Sequence, residues 1–309
     1  MRTPAWAPAG AFAMCALIWG STWVAIKVGY EGLGAFHAAA LRFGLSALLI
    51  AALMVAWRLP FPRSARAWRL PVAMAVLLFL GDYGLIYWGE QRIDSGLTAV
   101  LFATFPLFVA LVGRAGFGEA FTAAKAGGIA LGIVGLAVVF ADSLVFDPAR
   151  LPAMAAIVGA ALSAAVANQL THRDGRGLHP ATYTAPGMAL GALLLEAVAV
   201  LSGERLGLPS TTIAWASVLF LAVVGSVVAF LAFFWLQQRW GATRSAVLIL
   251  LTPLVALFLG AALRSEQVGL ATLAGTALVL VGVAATLRGP SEPAEGDALP
   301  QRGPEQVEG

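Results

Sequence analysis

The fold is decided by stretches such as residues 213–236, IAWASVLFLAVVGSVVAFLAFFWL, which contain no charged side chain. A helix needs about 20 apolar residues to cross a hydrocarbon core about 30 Å thick, because each residue adds about 1.5 Å. Residues 213–236 meet that requirement, and we therefore predict that they form a transmembrane helix.

Similar apolar stretches recur along most of the 309-residue chain, of which 60% is hydrophobic and only 11% charged. Soluble proteins are roughly a quarter charged, so lipid is the solvent expected for most of this surface. Breaks at charged residues and at glycine or proline clusters divide the chain into ten predicted spans. We predict an all-α membrane protein with spans at residues 8–27, 35–56, 70–89, 95–113, 122–141, 151–170, 181–202, 213–236, 243–263 and 267–287.

The distribution of basic residues predicts the orientation of the chain. Lys and Arg collect in cytoplasmic connections, and most of the 19 here fall in one set of connections or near the termini. The opposite set carries only Lys27, Arg92, Arg150, Arg205 and Arg264. Both termini are therefore predicted to be cytoplasmic, and the tail at 289–309, rich in Pro, Glu and Gly, is predicted to be disordered.

The chain also repeats itself at an offset of 147 residues, the distance from Trp88 to Trp235. Each repeat holds five spans, an odd number, so the second copy must enter the membrane from the opposite side. We predict two inverted five-helix repeats, at residues 1–147 and 148–288, a device of secondary transporters. The same offset aligns Arg92 with Arg239, Pro106 with Pro253, Glu119 with Glu266, Gly128 with Gly275 and Gly135 with Gly282.

Several motifs of the sequence resemble those of the EamA family of the drug/metabolite transporter superfamily. The resemblance covers about residues 10–287 and rests on Trp19-Gly20-Ser21-Thr22-Trp23, Arg42-Phe43, Phe105-Pro106-Leu107-Phe108 and the repeated Pro253, Glu266, Gly275 and Gly282. It implies a ten-helix fold in the bacterial inner membrane with cytoplasmic termini. It also implies export of metabolites or amino acids through a cavity lined mainly by the first four helices of each half.

The expected function is a secondary transporter that exports small metabolites by alternating access, with amino acids, in particular aromatic ones, as the first candidates. Efflux of hydrophobic drugs or other metabolites and facilitative uniport are the alternatives, and a channel or a structural membrane protein is a more remote one. Proton coupling stays open, and a monomer or weak dimer is expected. With one cysteine and no His-Glu-x-x-His or Gly-x-Ser-Gly motif, we expect no enzymatic activity, cofactor, metal site or nucleic-acid partner.

Asp82 is the most informative single residue, because it lies well inside the third predicted span with no charged neighbour on that helix. An isolated carboxylate there is costly, which makes Asp82 a candidate proton carrier or a counter-ion for a substrate amine. A protonated side chain bonded to another helix, or a pair with Arg42, are the structural alternatives. Arg42 could instead meet a substrate carboxylate or hold Glu31, and Glu196 in the seventh span is a rival to Asp82 for coupling.

Aromatic and small polar side chains supply the other candidate substrate contacts. Pairs spaced by four residues share a helix face and could form a cavity wall, although packing between helices or at the membrane interface explains them nearly as well. The candidates are Trp19, Thr22 and Trp23 in the first span, Tyr83 and Tyr87 in the third, and Asn168 in the sixth.

Pro106 and Pro253 occupy matched positions deep in the fourth and ninth predicted spans. Proline removes a backbone hydrogen bond and can kink a helix. Matched kinks would suit a pair of hinges, and rigid packing is the alternative.

Overall fold

A computed structural model of the chain describes residue 4 and residues 6–29, 33–93, 95–141, 148–264 and 269–288. Within these ranges every regular element is a helix, with no strand. In chain order the helices are α1 (Ala7–Gly29), α2 (Ala35–Ala56), α3 (Ala65–Glu90), α4 (Ser95–Phe102), α5 (Phe105–Gly116), α6 (Ala123–Val139), α7 (Leu151–Asp174), α8 (Ala181–Leu201), α9 (Thr212–Trp240), α10 (Ala242–Ala246), α11 (Thr252–Arg264) and α12 (Leu270–Arg288).

Seven helical stretches of the described chain are long and apolar enough to cross a membrane. They are α2, α3, α7, α8, α9, α12 and Ala242–Leu259, which joins α10 to part of α11. Shorter apolar helices at Ala7–Thr22, Val100–Gly116 and Ala123–Val139 overlap the other three predicted spans. The prediction of an all-helical membrane protein is confirmed, and the arrangement of ten spans in two inverted halves stays a prediction.

The fourth and ninth predicted spans are both interrupted: a turn separates α4 from α5, and a 3-10 segment at Val247–Leu250 separates α10 from α11. The amide of Thr104 donates to Leu101 O (3.2 Å) between α4 and α5, and the amide of Leu251 donates to Leu248 O (2.9 Å) before α11. Pro106 and Pro253 are the second residues of α5 and α11. Proline in a first turn interrupts no bond within its helix, so each proline begins a helix after the break instead of kinking a continuous one.

α3 and α9 each contain a π-helical segment, at Met74–Gly84 and Val223–Val228. The wider turn of a π-helix disturbs the regular bonding of the backbone. In α9 the carbonyl of Gly225 accepts hydrogen bonds from Trp19 Nε1 and Arg42 Nη2, both at 3.2 Å. Side chains from α1 and α2 therefore bond to the backbone where α9 widens.

The same kind of bond joins the halves at two further carbonyls. Ser163 Oγ in α7 donates to Leu77 O in the π segment of α3 (2.7 Å), and Ser46 Oγ in α2 donates to Ala222 O in α9 (3.1 Å). Each π segment is therefore bonded by side chains that the other half of the chain supplies.

Packing between the halves is reciprocal. α1 packs against α9 and α11, and α7 packs against α3 and α5. α2 packs along α8, and α6 packs along α12. The interior therefore lies where the first three helices meet α7, α8 and α9.

Glycines bring α6 and α12 together at close range. A Cβ on Gly128 would lie 2.7 Å from Gly282 O, and a Cβ on Gly135 would lie 2.7 Å from Gly275 O. Residue numbers rise along α6 as they fall along α12, so the two helices are antiparallel. Small residues allow this approach of helix backbones in membranes.

We expect Gly128→Ala to destabilise the protein by about 1–3 kcal/mol, because the new methyl group has no room against the α12 backbone. Gly127→Ala is the matched control, since nothing lies within 4 Å of a Cβ on the neighbouring Gly127. Thermal unfolding of the two variants in detergent measures the difference, and equal midpoints would contradict the packing.

Candidate functional site

A cavity lies inside the helix bundle, enclosed by α1, α3, α7 and α9 and by both helix breaks. Its volume is about 90 Å³. Its described lining residues are Trp19, Thr22, Ile26, Leu78, Asp82, Tyr83, Ile86, Phe102, Phe105, Ala164, Ala167, Asn168, Thr171, Phe230, Phe233, Phe234, Ile249 and Thr252.

Asp82 lines this cavity from the π segment of α3. The residue is only 4% exposed, and its Oδ1 has no hydrogen-bond partner in the structure. Among the described side chains no ion pair within 4.0 Å joins Asp82 to Arg42. A buried acceptor without a partner is costly, which makes this oxygen a candidate to bind a proton or a ligand.

Arg42 contributes no side chain to the cavity wall. Its Nε donates to Ser226 Oγ (2.9 Å) and its Nη2 to Gly225 O (3.2 Å) in α9. The guanidinium lies 5.1 Å from the centre of the ring of Tyr83, which lines the cavity. Arg42 therefore ties α2 to α9, and Glu31 lies outside the described residues.

Tyr87 lies beside Arg42, and its hydroxyl is 3.5 Å from Arg42 Nη1. The residue is fully buried and is absent from the described cavity lining. The structure therefore brings Tyr83 to the cavity and leaves Tyr87 one turn behind it.

Aromatic rings form most of the cavity wall. The ring of Trp19 packs against Phe230 at 5.5 Å and Phe233 at 5.1 Å, measured between ring centres, and Tyr83 packs against Phe230 at 6.1 Å. Thr22 faces the cavity one turn beyond Trp19. Trp23 belongs to α1, but its side chain is outside the described part of the chain.

Asn168 of α7 faces the same cavity as Asp82. It is 4% exposed, and its Oδ1 has no hydrogen-bond partner in the structure. Its backbone carbonyl accepts from Gln237 Nε2 (3.1 Å) and from Thr171 Oγ1 (2.8 Å). The cavity thus holds two buried side-chain oxygens without partners, one from each half of the chain.

Glu196 lies elsewhere, in an apolar groove formed mainly by α2, α8 and α9. Its Oε2 is 2.7 Å from His37 Nδ1, and His37 Nε2 is 2.8 Å from Gly207 O. This second intramembrane carboxylate is therefore paired and separate from the Asp82 cavity.

The sequence analysis missed the phenylalanines of the wall. Phe230, Phe233 and Phe234 occupy positions i, i+3 and i+4 of α9, a spacing that places aromatic rings on one helix face. Phe102 and Phe105 flank the break between α4 and α5, which composition alone does not reveal.

The fold is that of a helical membrane protein with a cavity inside the helix bundle. The sequence profile of the EamA-like transporter family matches residues 8–141 and again residues 151–288. The chain therefore belongs to the EamA-like transporter family. A transport function, which is not an enzymatic one, is supported by this membership.

Relatives named as transporters match most of the chain. The uncharacterized transporter YoaV of Bacillus subtilis is 26% identical over 86% of this chain and 92% of its own length. An uncharacterized transporter of Archaeoglobus fulgidus is 27% identical over 89% and 97%. The uncharacterized inner membrane transporter YedA of Escherichia coli is 27% identical over 83% of both chains.

One crystal structure matches the fold with a TM-score of 0.76, over 92% of this chain and 96% of the other, at 19% sequence identity. At that identity the likeness shows a shared fold alone.

We expect Arg42→Lys to lower the stability by about 1–3 kcal/mol, because the single ammonium group of lysine cannot reproduce the separate bonds of the guanidinium to Ser226 and Gly225. Arg69→Lys, at an exposed position near the start of α3, is the matched control. Thermal unfolding without any added ligand measures the effect. An unchanged midpoint for Arg42→Lys would show that the tie to α9 contributes nothing.

Proposed function

We propose that this protein is a secondary transporter that exports small metabolites by alternating access, with the Asp82 cavity as its substrate site. One observation carries the proposal: a buried carboxylate oxygen without a partner lies where helices of both halves meet. Intramembrane carboxylates mark substrate or proton paths. Asp82 binds the substrate, and Arg42 positions the wall behind Tyr83.

The contacts between α6 and α12 support two inverted repeats. Gly128 meets Gly282, and Gly135 meets Gly275. At the offset of 147 residues, Gly128 is equivalent to Gly275 and Gly135 to Gly282. Gly128 therefore contacts the equivalent of Gly135, and Gly135 contacts the equivalent of Gly128. Such an exchange of partners is what a two-fold axis between two copies produces. Because the helices are antiparallel, that axis runs across them, as in the inverted repeats of transporters.

The matched helix breaks support paired hinges at Pro106 and Pro253. The two backbone turns, Leu101–Thr104 and Leu248–Leu251, are also separated by 147 residues. Residues beside both breaks line the cavity, namely Phe102 and Phe105 at one and Ile249 and Thr252 at the other. Bending at either break would therefore move a wall of the substrate site.

The unpartnered oxygen of Asp82 gives protons a specific role in the proposed transport. The free Asp82 oxygen accepts either a proton or an amine hydrogen, so the two compete for one carboxylate. Release of substrate on protonation would couple export to proton entry, whereas a site that ignores protons would work as a uniporter.

Amino acids are the first substrates to test, because Asp82 suits an amino group and the aromatic wall suits an apolar side chain. Hydrophobic drugs and other metabolites are the alternatives.

The cavity is complete within one chain, which supports a working monomer. The excess of Lys and Arg on one side supports cytoplasmic termini, and the similarity to YedA, an inner membrane transporter, supports the inner membrane.

Proteoliposomes preloaded with an unlabelled amino-acid mixture and diluted into a trace of label should accumulate the label transiently. Such counterflow requires a site that alternates between sides, and a pore does not produce it. We expect Asp82→Asn to lose the response of this exchange to an imposed pH gradient. Glu196→Gln, which alters a carboxylate outside the cavity, should retain the response. If Glu196→Gln alone loses it, Asp82 is not the coupling residue.

Cysteine labelling tests alternation without any knowledge of the substrate. The single Cys15 is buried, so Cys15→Ser provides a background without thiols. In that background Ile26→Cys and Thr171→Cys place one thiol toward each end of the cavity. We expect an impermeant maleimide to label Ile26→Cys from outside and Thr171→Cys from inside. Crosslinking that closes one end should raise labelling at the other, whereas a pore would lose both.

A further inference from the structure

We propose that the cavity selects organic cations over zwitterions: its preferred ligand carries a protonated amine on a small aromatic body and no carboxylate. The inference rests on the proposed function of this cavity as the substrate site. Among the small metabolites of the proposed function, it favours amines over the amino acids that were named first.

The cavity offers hydrogen-bond acceptors without partners. Asp82 Oδ1 and Asn168 Oδ1 are buried, and neither has a hydrogen-bond partner in the structure. Both residues line the cavity and each is 4% exposed. A protonated amine carries up to three donors and a positive charge, so it can bond both oxygens and neutralise the carboxylate.

Four of the donors around the cavity already have acceptors within the protein. Trp19 Nε1 donates to Gly225 O (3.2 Å). Thr22, Thr171 and Thr252 each direct a hydroxyl hydrogen to a carbonyl of the preceding turn, at 2.7, 2.8 and 3.0 Å respectively. The threonine oxygens can still accept, so they suit a ligand that brings donors of its own.

The described lining residues include no Lys, Arg or His. Arg42, whose guanidinium lies 5.1 Å from the centre of the Tyr83 ring, is bonded to Ser226 and Gly225. A substrate carboxylate would therefore lie without a cation and in the same cavity as Asp82. Burying an unpaired charge beside one of the same sign is strongly unfavourable.

The aromatic wall completes the match to a cation. The rings of Trp19, Tyr83 and Phe230 pack edge-to-face or tilted around the cavity, and aromatic faces attract ammonium groups that have lost their water. The available space, about 90 Å³ for the centres of water molecules, suits a ligand with a single ring.

Three probes separate charge from size: phenethylamine, phenylalanine and phenylalaninamide. The amide is as large as the amino acid but keeps only the positive charge. Binding to the purified full-length protein is followed by calorimetry. We expect phenethylamine and the amide to bind at least about tenfold more tightly than phenylalanine, because only the amino acid buries an unpaired carboxylate. The preference should vanish in Asp82→Asn and persist in Glu196→Gln.

Equal or tighter binding of phenylalanine would overturn the inference, and so would failure of all three probes to bind the folded protein. A preference for phenethylamine over both larger compounds would attribute the selection to size and would also overturn it. None of these results decides the proposed function. Alternation is measured independently by the Cys15→Ser labelling series, which uses no ligand.

Discussion

Backbone carbonyls at membrane depth need partners, because lipid offers no water to bond them. The π segments of α3 and α9 are where this constraint shapes the molecule. Their wide turns leave carbonyls at Leu77 and Gly225 that accept bonds from side chains of other helices. Each donor comes from the opposite half of the chain, so the need to satisfy one helix ties the two halves together at the level of the cavity.

The same bonds set the chemistry of the cavity. Arg42 and the indole N–H of Trp19 both bond to Gly225 O, which removes a cation and a donor from the reach of a ligand. Asp82 lies one helix away, and its Oδ1 has no hydrogen-bond partner. The acidic character of the site is therefore a consequence of where the backbone of α9 takes its hydrogen bonds.

Hydropathy was enough to predict the helices, since length and apolar content decide which segments enter lipid. The offset of 147 residues located the repeat because Trp, Arg and Pro are rare enough to align by more than chance. The π segments could not be predicted, because a sequence such as VVGSVV is equally typical of an ordinary apolar α-helix. Asp82 was identified by its cost in lipid, whereas Phe230 and Phe233 were hidden among many apolar neighbours. The structure was needed to choose among the alternatives for Arg42, because its hydrogen-bond partner Ser226 is 184 residues away in the chain.

The two halves agree in their backbone and differ in their side chains. At the offset of 147 residues both have a π segment, a broken helix and an arginine over a tryptophan ring, Arg92 on Trp88 and Arg239 on Trp235. Yet the position equivalent to Asp82 is Ala229, and the position equivalent to Ser226 is Phe79. An exchange of shapes between halves needs only the shared backbone features. The proposed site uses the single carboxylate of Asp82, and its equivalent, Ala229, is absent from the described cavity lining. Symmetry of the frame and asymmetry of the site are therefore both expected of a carrier whose two halves share a single substrate.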